Sequence, residues 1–253
     1  MQYVAMTFWL LVIVFSALGV HRLWSSLVQP KIINTLLLPG TLVAQLGHIL
    51  GLLVTGGTVN DTALVKDDDS GEPKTGSDPE PRVPLIGTII IALLPLVGCA
   101  AAIYWVSRYF GTDIISRLED AQGSSFDPLA LPTSLAAFFN LLRESLSLVE
   151  KLVNVIWASD LTDWQTLLFL YLVICLTVRM APLTGNLRGT LGAIFLAGVL
   201  AYLIDKFMQS PTGPLLSVWS LIVFCVAVLL FLLIISLLVT GVVHLVKTAM
   251  GQK

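Results

Sequence analysis

The chain has 253 residues, of which 56% are hydrophobic and only 12% charged, with a mean hydropathy of +0.90. Soluble domains carry about 45–50% apolar and about 25% charged residues, so this composition leaves too little polar surface to coat a water-soluble globule. That excludes a cytosolic enzyme, a disordered chain and a nucleic-acid binder, and fourteen Lys and Arg against sixteen Asp and Glu leave no basic excess to attract phosphates. What remains is an all-α fold, a polytopic membrane helix bundle with short loops.

A spanning helix needs about 20 mainly apolar residues, because each adds about 1.5 Å across a hydrocarbon core about 30 Å thick. Six segments meet or approach that length in a single membrane domain over residues 1–253. The first covers about 3–20. Its n-region has no Lys or Arg, which favours an uncleaved anchor over a signal peptide, while Ala17 and Gly19 leave cleavage open. The second, about 32–54, is interrupted by Pro39-Gly40 and carries Gln45 and His48. A polar loop follows over 60–82, with seven acids, three bases and the run Asp67-Asp68-Asp69, whose spacing is not that of an EF-hand. The third span, about 83–106, contains Pro95.

Residues 107–163 form the second long connection, and one helix is expected in it over about 134–157. Pro132, Thr133 and Ser134 give the start signal. Leu135, Phe138, Phe139, Leu142, Leu146, Val149, Val153 and Ile156 recur at helical spacing, with Asn140, Glu144, Ser147, Lys151 and Asn154 opposite. Such an amphipathic helix lies at the membrane surface, covers the bundle or packs on another subunit. Span four is about 164–180 and ends at Pro182, span five is about 187–204, and span six, about 215–246, is longer than a crossing needs. Cys99, Cys175 and Cys225 sit far apart in apolar runs and read as small buried hydrophobes. With six crossings, each side of the membrane collects seven Lys and Arg, so the positive-inside rule leaves the orientation open. A multi-pass protein of a bacterial-type inner or plasma membrane is expected.

Polar groups inside a bilayer are costly, and each poses a functional question. The run Pro39-Gly40-Thr41-Leu42-Val43-Ala44-Gln45-Leu46-Gly47-His48, followed by Gly56-Gly57-Thr58-Val59, resembles the P-G-x-x-x-H-E-x-G-H segment of site-2-protease-type intramembrane zinc metalloproteases, which leads into a glycine turn and a short extended stretch. The family's A-L-x-P-L pattern is matched by Ala92-Leu93-Leu94-Pro95-Leu96. The stretch Met180-Ala181-Pro182-Leu183-Thr184-Gly185-Asn186 is similar to the M-A-P-S-x-x-D helix break that carries the family's third metal ligand. The resemblance covers about residues 36–106 and 165–200.

In that family two His at i and i+4 share one helix face and hold zinc, a carboxylate from another helix completes the ligands, and the Glu beside the first His takes a proton from zinc-bound water. Carried onto this chain, the first His position is Ala44, the Glu position Gln45 and the third-ligand position Asn186; only His48 is kept. An alanine cannot bind metal, a glutamine cannot act as a general base near neutral pH, and an asparagine is a poor neutral zinc ligand. His21 and His244 have no second ligand at i+3 or i+4, and a pairing of Arg179 or Arg188 with Asp205 is structural in character.

The resemblance therefore implies a pseudoprotease with no catalytic residue, metal or other cofactor, in which Gln45, His48 and Asn186 can form a neutral hydrogen-bonded network. Its implied partners are membrane lipid, transmembrane helices and other membrane-protein subunits, not nucleic acid. Two other readings stay open: an active zinc metalloprotease with an atypical ligand set, and a transporter or channel component whose Pro-interrupted spans line a path.

Overall fold

The computed structural model describes residues 2–56, 59–63, 74–77, 84–122, 131–132, 134–181, 187–208 and 213–250. The described residues form nine helices and one two-stranded ribbon: α1 (Gln2–Leu27), α2 (Pro30–Leu36), α3 (Leu38–Val54), β1 (Val59–Ala63), β2 (Lys74–Ser77), α4 (Pro84–Phe110), α5 (Thr112–Gln122), α6 (Leu135–Ala158), α7 (Trp164–Val178), α8 (Leu187–Met208) and α9 (Gly213–Ala249). Among the described residues three helices are long and apolar enough to cross a membrane, within α1, α4 and α9, and a fourth crossing is made if the bent pair α2–α3 counts as one. The apolar part of α8, Gly189–Leu203, and the whole of α7 are shorter. At 15 residues α7 is only about 22 Å long.

The expected second span is not one straight helix. Its axis turns by 83° between α2 and α3. Pro39 brings no N–H for the carbonyl of Thr35, so the helical ladder stops there, and proline is tolerated only because it falls in the first turn of α3. Leu37, fully buried at the corner, still donates its N–H to the Ile33 carbonyl and accepts from the Thr41 N–H, both at 2.9 Å.

At its other end α3 stops at Gly56, whose φ of 77° lies in the left-handed region that a side chain disfavours. β1 follows and pairs antiparallel with β2, with Thr62 opposite Thr75 and Ala63 opposite Lys74. A short ribbon thus stands within the stretch expected to be a plain polar loop; Val59 and Thr62 are its β-favouring residues, whereas Asn60, Asp61 and Ala63 are types sparse in strands. Asp67, Asp68 and Asp69 lie outside the described residues.

The connection after α4 holds two helices, not one. α5 is short and mostly polar, with Ile114 and Leu118 buried on one side and Arg117 bonded to Asp113 at 3.0 Å one turn away. α6 starts where expected, at an N-cap in which Ser134 Oγ accepts from the Ala137 N–H. Its packing face differs from the expected apolar stripe. Ser145, Leu148, Leu152 and Val155 face the bundle, whereas Leu135, Phe138, Phe139, Leu142 and Leu146 are exposed. The apolar arc of α6 is wider than one packing seam can cover, so one edge of it seats on α5 and α9 and the remainder faces outward.

The core lies where α1, α7 and α9 meet, with Phe169 and Phe224 stacked at 5.7 Å and α8 closing on α1 and α4. α9 is about 55 Å long, well beyond the hydrocarbon thickness. Its residues from Trp219 to Leu232 are mostly buried, while Leu237, Leu238, Val242 and Leu245 stand clear of the bundle. A polar tie joins the first and last helices: Trp24 Nε1 donates to Ser236 Oγ at 2.8 Å. Trp24→Phe is expected to lower stability by about 0.5–1 kcal/mol. Ser236→Ala should cost a similar amount, and the double variant little more than either single in detergent denaturation.

Candidate functional site

The helix carrying the protease-like motif is held by contacts that only small residues permit. Gly47 and Gly51 form a G-x-x-x-G pair on the side of α3 that meets α4. A β-carbon on Gly47 would lie 2.6 Å from the Pro95 Cα, and one on Gly51 would lie 2.8 Å from the Ile91 Cα. Pro95 and Ile91 are one helical turn apart, and Pro95 has no N–H to give the Ile91 carbonyl. The interruption of α4 is thus seated directly on the glycine face of α3. On another side Gly40 meets α7, where a β-carbon would come within 2.2 Å of the Cys175 carbonyl oxygen.

These contacts carry the motif positions into the bundle. Ala44 and Gln45 are each 3% exposed, with Ala44 part of the main apolar core. His48, one turn beyond Ala44, is half-buried, and its imidazole makes no hydrogen bond to a described residue. Ala44 offers a methyl group and Gln45 a neutral carboxamide, so His48 is the single imidazole on this stretch of α3. Among the described residues no three His, Cys, Asp or Glu side chains gather closely enough to share a metal ion, and neither His21 nor His244 joins His48 in such a group. This donor set does not fit a zinc centre. Asn186 lies outside the described residues, between the end of α7 and the start of α8.

A second polar centre faces the corner between α2 and α3. Tyr171, Cys175 and Arg179 follow one another at four-residue spacing on α7 and its C-cap, forming one stripe down a single face. The Leu36 carbonyl, left without a helical donor by the bend, accepts from Tyr171 Oη at 2.8 Å and from Cys175 Sγ at 3.5 Å. The Arg179 side chain passes over Gly40, where a β-carbon would be 3.0 Å from its Cγ, and its Nη2 donates to Oδ1 of buried Asn34. Arg179 is only 8% exposed. Asp205 is the expected partner of Arg179 or Arg188; Arg179 bonds Asn34 on α2, and the side chains of Arg188 and Asp205 lie outside the described ones.

Asn34 and Tyr171 are not singled out by the sequence, and Cys175 reads there only as a small buried hydrophobe. The regular spacing of Tyr171, Cys175 and Arg179 is the signal that points to a shared face. Cys99, Cys175 and Cys225 are all buried free thiols. Comparison of the chain with protein-family models, with curated proteins and with solved structures returns no match in any of the three.

Proposed function

We propose that this chain is a non-catalytic relative of the site-2-protease-type intramembrane metalloproteases, retained as an accessory or scaffolding subunit that holds transmembrane helices or lipid. The observation that carries the reading is the state of α3: Ala44 and Gln45 occupy the first-ligand and general-base positions of the motif, and both are packed into the interior. The seating of Gly47 on Pro95 supports it, because it brings together two of the motif segments that carry the resemblance, both within residues 36–106. The turn at Gly56 and the extended β1 that follows are likewise of the kind the resemblance implies. In this reading the helices make six crossings of a bacterial-type inner or plasma membrane, with α2–α3 as one broken crossing and the short α7 seated within the bundle. Replacing two ionisable groups by Ala44 and Gln45 removes charge from a low-dielectric interior and relieves the penalty of an unfilled ligand cluster.

Purification from native membranes in mild detergent tests the assignment. A stable stoichiometric assembly without zinc is expected. A monomer carrying near-stoichiometric zinc that is lost in His48→Ala would instead establish an active metalloprotease with an atypical ligand set.

Restoring the motif tests the alignment itself. The triple variant Ala44→His, Gln45→Glu, Asn186→Asp is expected to take up about one zinc per chain, since two His at i and i+4 plus one carboxylate make a complete set of protein ligands. Crowding at Ala44 should lower its stability by about 1–3 kcal/mol. A folded triple variant with no metal would mean that Asn186 is not the third-ligand position.

A further inference from the structure

A cleft of about 340 Å³ opens at the corner where α4 gives way to α5, against α9. Tyr104, Ser107, Arg108, Thr112, Ser116 and Ser220 supply its polar lining. The corner is tightly fixed: a β-carbon on Gly111 would lie 2.2 Å from the Phe169 ring, and the Gly111 N–H donates to the Ser107 carbonyl at 3.0 Å. Exposed Trp105 and Tyr109 stack beside it at 5.8 Å, the kind of aromatic pair that settles at headgroup depth. The apolar run of α4 ends here, at Phe110.

Within the cleft Ser107 is 5% exposed, yet its buried Oγ has no hydrogen-bond partner among the described residues. A buried hydroxyl without a partner is costly unless something fills the site and bonds to it. Arg108, on the rim, makes no ion pair or hydrogen bond to a described residue. α5 begins at Thr112 in the cleft lining, so the positive end of that helix lies at the site. Asp113, the residue after Thr112, is bonded to Arg117, and Arg117 is held further by the Ala158 carbonyl at 3.1 Å.

We infer that this cleft binds the phosphodiester of a net-anionic glycerophospholipid, with Arg108 on the phosphate and the Ser107 and Thr112 hydroxyls on its oxygens or on the headgroup. One guanidinium matches the single charge of a phosphodiester. A zwitterionic headgroup would bring an ammonium beside Arg108, and the residues that line the cleft include no carboxylate to receive it. The inference rests on a membrane location and not on the protease-like reading.

The test is native mass spectrometry of the intact chain in detergent, titrated with phosphatidylglycerol or phosphatidylcholine of the same acyl chains. One retained phosphatidylglycerol is expected, with occupancy falling about tenfold or more in Arg108→Gln, as for loss of one charge-assisted hydrogen bond. Ser107→Val is expected to weaken retention as well, and both variants should keep their thermal stability when no lipid is added. Equal retention of the two lipids, or undiminished retention by Arg108→Gln, would overturn the inference. So would inorganic phosphate raising the melting temperature as far as phosphatidylglycerol does, because the ligand would then be the free anion.

Discussion

A Gly40→Ala chain is expected to lose about 3 kcal/mol or more of stability, the upper range for overpacking a dense interior. In thermal denaturation in detergent this corresponds to a fall of roughly 10 °C in Tm. The added methyl would stand 2.2 Å from the carbonyl oxygen and 2.6 Å from the carbonyl carbon of Cys175, and both are backbone atoms that cannot swing aside. Relief requires α3 to move off α7, which also pulls the Leu36 carbonyl away from Tyr171 and Cys175 and the Asn34 amide away from Arg179. Gly241→Ala provides the contrast, because beyond the local helix backbone and the adjoining residues no described atom lies within 4 Å of a β-carbon built there. With only helix propensity acting, that variant should gain about 0.5–1 kcal/mol. Gly47→Ala, which meets the Pro95 backbone, should follow Gly40→Ala in direction. Similar melting temperatures for Gly40→Ala and Gly241→Ala would show that the close approach of α3 to α7 does not exist.

The long apolar helices were legible because run length alone sets a spanning helix. α1, α4 and α9 fall on three expected spans, with ends extended by a few residues. The start of α6 was legible too, since Ser134 announces its own cap. Direction was not. Hydropathy reports how apolar 32–54 is but not that its axis turns, although Pro39 marked the place. α5 escaped because eleven mostly polar residues with two buried positions do not stand out beside spans of twenty.

For the candidate site, the spacing of Ala44 and His48 put both on one face of α3, and the side-chain chemistry of Ala44, Gln45 and Asn186 is what underlies the expectation of no metal and no base. Burial could not be read from the sequence, because on a helix that is apolar all round no stripe separates the core side from the lipid side. The Asn34–Arg179 bond joins residues 145 positions apart on two otherwise apolar segments, a separation that spacing rules do not reach.

That bond also sets the second large effect. Asn34→Leu is expected to cost about 2–3 kcal/mol, because an acceptor of a charged donor is removed inside an apolar interior. The guanidinium of Arg179 stays buried there, and the C-cap of α7 gives it little freedom to reach water. Arg179→Met removes the charge itself and replaces it with an unbranched side chain that can lie over Gly40, so a smaller loss is expected. The double variant should then be more stable than Asn34→Leu alone, giving a coupling of about 1.5–3 kcal/mol in a double-mutant cycle. Arg179→Lys should not substitute for Arg179, since an ammonium has no planar fork to span from α7 to Asn34 and is more strongly hydrated. Strict additivity of the two single losses would mean that Asn34 and Arg179 act separately. A positive coupling would instead identify the corner between α2 and α3 as pinned by one buried charge, which explains why a chain so sparing of charge keeps an arginine there.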